Sequence, residues 1–528
     1  MYIFSYCYKL YCQIRKLYQI KKHLDVIYEL CTNYYDENSI TVEVQLNSLK
    51  KLIFDSGSLY IKFFQWYISK LKANIINPNS PESIKLSKFI HYFEDIFEQC
   101  PYHSLEHTKQ IFHDSMGIEL EDYVDINTLK PIASGSIGQV YYAKLKTKNY
   151  NYDDFEDLEN LDEGNEFEER EREIAIKIKH PDIERDLEDQ YELIHLVKMI
   201  QSVKFLRNKF NLFFNLDDFL NDVNLQCDFN NEANNCNKFR ENFRDSSDYI
   251  VFPEVLYQSK DLLISEYIEG SEFKDLTDTQ KRQTTLNFVS FMYQMLLVDN
   301  FIHGDLHCKN WKVRMNPNKK ENNENSNVQM IVYDCGICFE NTSTALTSEF
   351  WFALVKYDVD GLIKALSKFL DKNKNISDEM FSIEVRALFD KFLYKSLSTS
   401  LVMKAILDCF RANDIIICKF LLNFSIFVCV IEEFLKDNDM VDKNKKNGPN
   451  DSMYNIINDI EFDLIAFSDV NGCYKGVARM LREHLEDKYE KYKKNMEDNK
   501  INDLQSNEKK LFSCISLSGL VMKPPGSD

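Results

Sequence analysis

The stretch Phe301-Ile-His303-Gly-Asp305-Leu-His307-Cys-Lys-Asn310 decides how the rest of this chain is read. It follows residues 279–301, whose apolar residues read as one long helix. It precedes WKVRM (311–315) and QMIVYDCG (329–336), two β-branched, alternating runs that read as a hairpin. An Asn/Lys-rich insert, NPNKKENNENSN (316–327), joins them. An acid, an amide five residues later and a second acid at Asp334 are thus carried on loops at strand ends. Taken singly, each of the three could be an ordinary loop-forming Asx residue.

Three stretches upstream add to this. Ala133-Ser134-Gly135-Ser136-Ile-Gly138-Gln139-Val140 is a small-residue loop feeding a strand, YYAKL. Small residues let backbone N–H groups come close to phosphate oxygens. Lys177 lies mid-strand among Ile174, Ile176 and Ile178, where a lysine is costly to bury without a charged partner. Gln226-Cys-Asp228-Phe-Asn-Asn-Glu232 supplies acids at i and i+4, so the two are expected on one helix face, suited to a lysine and a metal.

Around these lie other expectations. Residues 1–115 read as helical. YYAKL and REIAIKIKH read as strands separated by an acidic run, 149–173, expected to be a solvated insertion. Helical patterns cover 185–210 and 217–243, and YIVFPEVLY (249–257) and DLLISEYIEG (261–270) read as paired strands. The apolar run 415–431 is 17 residues long with Lys419 inside it, and reads as a buried core helix and not a span. Residues 436–451 form a polar linker. The first 24 residues carry Lys9, Arg15, Lys16, Lys21 and Lys22 and no acid. A transit peptide, an interfacial helix and an ordinary first helix all fit that pattern.

Composition bounds the function. With 528 residues the chain is long enough for two or three folded units. Its 84 acidic against 64 basic residues, net −20, exclude a general nucleic-acid binder while leaving room for a local nucleotide site. The 14 cysteines are scattered, with a single CxxC at Cys335–Cys338, and read as reduced structural thiols.

In order and spacing the motifs resemble those of a protein kinase: a glycine loop, an A-x-K strand lysine, a helix glutamate, H-x-D-x-x-x-x-N and D-x-G. More closely, PIASGSIGQVYYAKL, AIKIKHPDI, QCDFNNEANN and VDNFIHGDLHCKN resemble the UbiB/aarF-domain atypical kinases, most like the aarF-domain kinase 2 branch, over roughly residues 50–345. The resemblance implies an α+β, kinase-like two-lobed fold with helical extensions at both ends. The expected division is 1–115, an N-terminal extension; 116–272, the sheet lobe; 273–435, the helical lobe; and 436–528, a linker and tail. It implies ATP and Mg²⁺ binding. Lys177, Glu232 and Asp305 would be catalytic; Ala133, Ser134, Gly135, Ser136, Gly138, Gln139 and Val140 would contact the nucleotide; Asn310 and Asp334 would hold the metal. Lys62 and Gln65 match the family's K-x-G-Q helix, with Phe64 in place of the glycine, which puts close approach of that helix to the nucleotide in doubt. Lys309 would stand as a bulky cation beside Asn310. The family usually has Ala where Gly135 stands. No A-P-E signature follows Asp334, which argues against protein substrates. The implied function is an ATPase, or a small-molecule or lipid kinase, supporting coenzyme Q or mitochondrial lipid metabolism, with a quinone or lipid precursor and a membrane surface as partners. The alternatives are a nucleotide-binding pseudokinase and a membrane-associated scaffold, in mitochondria, at a membrane or in the cytoplasm.

Overall fold

The computed structural model describes residues 100–146, 172–181, 216–306, 309–317, 328–340, 344–356, 358–368, 378–392, 399–413 and 472–483 continuously, with 40–55 and scattered positions elsewhere. The acidic run 149–171, the second insert from 318 to 327, the linker 436–451 and nearly all of 185–210 lie outside the described residues.

In chain order the helices are α1 (Ile40–Phe54), α2 (Leu105–Met116), α3 (Leu120–Tyr123), α4 (Leu216–Gln226), α5 (Phe229–Asn242), α6 (Asp278–Tyr293), α7 (Thr344–Lys356), α8 (Val359–Ser367), α9 (Asp378–Phe392) and α10 (Thr399–Ala412). The strands are β1 (Lys130–Ser134), β2 (Gly138–Lys144), β3 (Glu173–Lys179), β4 (Ile250–Val251), β5 (Val255–Gln258), β6 (Leu262–Glu266), β7 (Phe301–His303), β8 (Trp311–Met315), β9 (Val328–Val332) and β10 (Cys338–Glu340). The chain is α+β and divides into two compact units.

The first unit takes residues 1–212, 216–237 and 253–268. Its centre is a five-stranded antiparallel sheet, β1-β2-β3-β6-β5. Strand periodicity decides its faces. Ile174, Ile176 and Ile178 of β3 are fully buried with Tyr141, Ala143, Leu262 and Ile264, and Phe112 of α2 packs onto this side. The opposite side gathers Ile137, Leu263, and Phe229 and Ala233 of α5. Lys177, one residue out of phase with the isoleucines, is therefore turned towards α5. Helix α2 begins at Ser104, whose hydroxyl accepts from the His107 N–H, and ends at Gly117 in the left-handed region at φ +72°. Placed by the sequence reading in the N-terminal extension, α2 is part of the sheet lobe's core. A separate cluster of Leu49, Ile53, Ile61, Phe64, Ile90, Phe93 and Cys100 packs the helical segment before it.

The second unit takes residues 213–215, 238–252 and 269–528. Residues 238–252, expected in the sheet lobe, lie here, because Phe239, Phe243 and Phe252 join Phe291 and Phe301 in one aromatic cluster. The stretch 249–257 does not run on as one strand. Ile250–Val251 pairs parallel with β9, and past Pro253 the chain resumes as β5, antiparallel to β6. Strands β8 and β9 form the expected hairpin. Asn287 of α6, fully buried, donates to the carbonyls of Tyr249 and Val328 and so ties that helix to the small sheet. The expected helix ends earlier than 301: α6 stops at Tyr293, a π-helical turn covers Gln294–Asp299, and Asn300 is left-handed at φ +53°. Of the apolar run 415–431, the described Leu421, Phe424, Phe427 and Val428 are buried, with Phe424 and Phe427 against Trp351. Among the described residues no helix is long and apolar enough to cross a membrane. Near the C-terminus, Leu464, Ile465, Phe467, Val477 and Leu481 are core residues of this unit and not a separate tail.

Candidate active site

In the first unit the loop between β1 and β2 closes on itself through Gly135 N–H to the Gly138 carbonyl, 3.0 Å. The two glycines are there for different reasons. A Cβ on Gly138 would meet the Ile178 carbonyl oxygen at 2.8 Å and Phe229 Cζ at 2.9 Å, so only glycine lets β2 pass there. A Cβ on Gly135 would meet only the Gly138 oxygen, at an ordinary contact distance of 3.7 Å, so Gly135 is not held by crowding. Ser134, Ser136 and Gln139 are buried, Ala133 and Val140 half-buried. The Ser136 hydroxyl is enclosed without a hydrogen-bond partner. The Gln139 side chain turns inwards, its Oε1 accepting from the His103 N–H at 2.9 Å.

Lys177 and Glu232 meet. The ammonium donates to both carboxylate oxygens at 2.8 and 2.7 Å, and lies 5.3 Å from the centre of the Phe229 ring. The side chains are 17% and 10% exposed, so the pair is largely out of water and neither charge can lose its partner cheaply. Asp228 does not share in this. It stands just before α5, and its carboxylate accepts from the Asn230 N–H at 3.0 Å, capping the helix instead of joining Glu232 on one face.

Lys62 and Gln65 lie on a helical turn of the same unit, Lys62 half-buried and Gln65 buried. Phe64 is 5% exposed and packs edge-on to Phe93 at 5.0 Å. The bulky side chain that the sequence set in the way of the nucleotide is therefore directed into the helical core.

In the second unit Asp305 and Asn310 sit beyond β7, and Asp334 beyond β9. Strand β10 pairs with β7, His303 opposite Cys338, which joins the segment after Asp334 to the strand that carries Asp305. His303 Nδ1 accepts from the Asp305 N–H at 3.3 Å, so its proton is on Nε2, facing the Tyr333 carbonyl at 3.3 Å. Tyr333 N–H donates in turn to the Asn310 carbonyl at 2.8 Å. The Asn310 side-chain NH₂ donates to the Asp305 carbonyl at 2.8 Å, which leaves its oxygen as the end able to take a cation. Asp334 is exposed and held left-handed at φ +49°, a conformation a non-glycine residue adopts at some cost. Gly304 stands where a Cβ would meet Ile337 Cγ2 at 2.8 Å. Lys309 is half-exposed and its ammonium stands 3.7 Å from Glu272, so its charge is shared with that acid.

Sequence reasoning passed over His103 and His180, which contact the glycine loop, Thr108 behind them, and Glu272. The H-P pair directly after β3 was the visible signal for His180; His103 and Thr108 carry none until α2 is packed on the sheet.

These two constellations define a kinase-like protein. Residues 95–151 and 166–366 match the family model described as ABC1 atypical kinase-like domain, and the similar proteins include ones named for UbiB and for the AarF domain. It is 29% identical over 269 residues to a probable serine/threonine-protein kinase, abkC, of Dictyostelium discoideum, covering 49% of this chain and 33% of that one. It is 27% identical over 298 residues to a mitochondrial ABC1 family protein of Saccharomyces cerevisiae, covering 54% and 41%. It is 26% identical over 297 residues to a probable protein kinase UbiB of Vibrio cholerae, covering 55% and 47%. The match thus spans a third to a half of the length of these relatives. Among solved structures, a Mycobacterium tuberculosis protein in complex with erythromycin is similar at a TM-score of 0.39 and 14% identity, covering 64% of this chain and 83% of that one. The Rio2 kinase of Chaetomium thermophilum is similar at 0.25 and 10%, covering 66% and 95%.

Proposed function

We propose that this protein binds Mg²⁺-ATP and transfers its terminal phosphoryl group to water or to a small or lipid-like acceptor, in support of coenzyme Q or mitochondrial lipid metabolism. The observation that carries the reading is the bidentate Lys177–Glu232 pair under the glycine loop. A β-strand ammonium kept charged and aimed by a helix carboxylate is what holding phosphate oxygens requires.

The residues present suit the ligand. The uncrowded Gly135 and the enclosed, unpartnered Ser136 hydroxyl fit a phosphate oxygen. Among the described residues no three or more His, Cys, Asp or Glu side chains gather as a metal-holding group. A magnesium ion carried on phosphates needs only one or two carboxylates besides water. Asn310 and Asp334 would supply such oxygens. Bound Mg²⁺-ATP supplies the transferable phosphoryl group and the cation that neutralises it. Lys177 would hold phosphate oxygens at Nζ, and Asp305 would take the proton of the attacking hydroxyl at its carboxylate. Only residues 341–343 separate the end of β10 at Glu340 from the start of α7 at Thr344, too few for an extended peptide platform, which favours a non-protein acceptor.

Relatives with mitochondrial names support that compartment as the proposed one. For a membrane surface the support is local: Tyr8, Tyr11, Ile14 and Tyr18 are all exposed helical residues in a segment with five basic residues and no acid.

The test is the melting temperature of the protein with Mg²⁺-ATP, Mg²⁺-ADP and nucleotide without metal, followed by turnover of ATP. Metal-dependent stabilisation that disappears in the Asn310→Ala/Asp334→Ala double variant is expected. Stabilisation without turnover would leave a pseudokinase, and metal-independent binding in the double variant would defeat the assignment of those two residues. Flotation with anionic vesicles, lost when Tyr11 and Tyr18 become Ser, is the expected result for the membrane reading.

A further inference from the structure

A half-buried, one-directional hydrogen-bond chain ends on the glycine loop. His180 follows β3 directly, and its Nε2 lies 3.0 Å from the Gly135 carbonyl oxygen. A carbonyl only accepts, so Nε2 carries the proton. His180 Nδ1 lies 2.7 Å from His103 Nδ1, and with His180 neutral the second nitrogen must be the donor. His103 Nε2 is then a lone pair, and it meets the Thr108 hydroxyl at 2.9 Å. Thr108 in turn lies 2.7 Å from the Tyr141 hydroxyl. Read from one end, Tyr141 donates to Thr108, Thr108 to His103 in preference to the more distant Ser104 carbonyl at 3.4 Å, His103 to His180 and His180 to Gly135. Burial holds both His180 and His103 below the usual histidine range, so each stays neutral, as the chain requires. The other titratable group against them is His107, whose ring is 4.9 Å from that of His103 and whose Nε2 meets the Lys179 carbonyl at 3.0 Å. The Lys179 ammonium is committed to Glu184 and Asp261.

The contact matters because of what it does to one peptide plane. In a trans peptide the C=O and the next N–H point opposite ways, and among the described residues there are no cis peptides. Turning the Gly135 carbonyl to His180 turns the Ser136 N–H to the opposite side of that peptide plane. Glycine sets little preference of its own for that plane. His103 grips the loop a second time through its backbone N–H on Gln139.

We infer that His180, oriented by His103, is a positioning pair for nucleotide phosphate: it locks the Gly135–Ser136 peptide so that the loop offers N–H groups, and not a carbonyl, to the anion. This rests on the phosphate-holding role proposed above for the loop. The rest of the chain sets the tautomer that makes the lock possible.

The experiment uses the full chain and measures affinity for Mg²⁺-ATP and for adenosine, which has no phosphate. His180→Phe is expected to weaken ATP about tenfold while adenosine stays within about twofold. His180→Gln, whose amide nitrogen can reach the Gly135 carbonyl from the Nε2 position, is expected to recover most of that loss. His103→Asn, which keeps a donor at the Nδ1 position, should be milder than His103→Leu. Equal losses for ATP and adenosine, or no loss in His180→Phe, would overturn the assignment while leaving the loop's role intact. Wild type that binds ATP no better than adenosine overturns the loop's role itself, and is recognised before any substitution is made. Independently of nucleotide and of variant folding, ¹⁵N-histidine spectra of the wild-type protein should show His180 as the Nε2–H tautomer; an Nδ1–H His180 would overturn the chain outright.

Discussion

Lys177 shows how little of a residue's role its type conveys. At 17% exposure, a lysine on this strand is tolerable only because Glu232 meets it with both oxygens. Removing one partner leaves the other as a buried, uncompensated charge, which costs about 3–5 kcal/mol. Lys177→Met is therefore expected to lower the melting temperature of the nucleotide-free protein and to abolish stabilisation by Mg²⁺-ATP. Adding Glu232→Gln should return most of the intrinsic stability and none of the nucleotide response. The two effects separate in one series of melting curves, and a double variant that regains the ATP shift would remove Lys177 from the site. His103 gives a second residue-scale expectation. Burial first, then the neighbouring His180 and His107, hold its imidazole at about 3, against 6.5 for the free group. Between those values the unfolded chain binds more protons than the fold, so stability is full above about 6.5 and falls as pH drops through that window. His103→Asn should flatten that acid limb in a plot of melting temperature against pH; an unchanged limb would mean that other groups set it.

At the scale of elements, the β2–β3 connection carries the clearest expectation. The Leu145 N–H donates to the Arg172 carbonyl at 2.9 Å, and Glu173 already pairs with Lys144 in the ladder. The ends of the long acidic insert are thus hydrogen-bonded to each other before it begins, and β3 claims its last residue. Each doubling of loop length costs only about 0.6 kcal/mol. Replacing residues 149–170 with a short Asn-Gly turn should leave melting temperature and nucleotide affinity nearly unchanged, as read by calorimetry. Collapse of the fold on deletion would show that the insert is structural. Most elements around the site were legible in the sequence, because strand alternation and helical spacing are local signals: β2, β3, the β8–β9 hairpin and α5 follow them. What was not legible depended on packing. Asp228 and Glu232 share helical spacing, yet only Glu232 is inside the helix, since the chain breaks at Cys227 and uses Asp228 as a cap. Ile250–Val251 and Val255–Gln258 read as one strand, yet Pro253 stands between them and they pair in different sheets.

For the whole molecule, the last described segment matters most. Glu461 is 3% exposed and accepts from the buried Tyr293 hydroxyl at 3.0 Å. Tyr249 of the small-sheet region packs against Phe467. A chain ended after residue 460 loses these and the buried Leu464, Ile465, Val477 and Leu481 together. Each such buried side chain is worth about 1.5–3 kcal/mol, so the sum approaches the whole stability of a domain. Expression of that truncation should give insoluble or protease-sensitive protein, and a soluble product with an unchanged melting temperature would show that this segment is dispensable.

By itself the sequence determined the class of this protein and the order of its parts. The spacing from Asp305 to Asn310, the strand lysine and the glycine loop are local patterns, and local patterns are set by backbone periodicity and by what a given side chain can do. Only the tertiary structure decided which groups meet. It paired Lys177 with Glu232, turned Phe64 into a helical core and Gln139 inwards, and brought His103 of the segment before α2 onto His180 after β3 to hold a loop that neither adjoins in the chain. Those contacts join residues as many as 77 positions apart. They depend on how α2 packs on the sheet, which no local periodicity encodes.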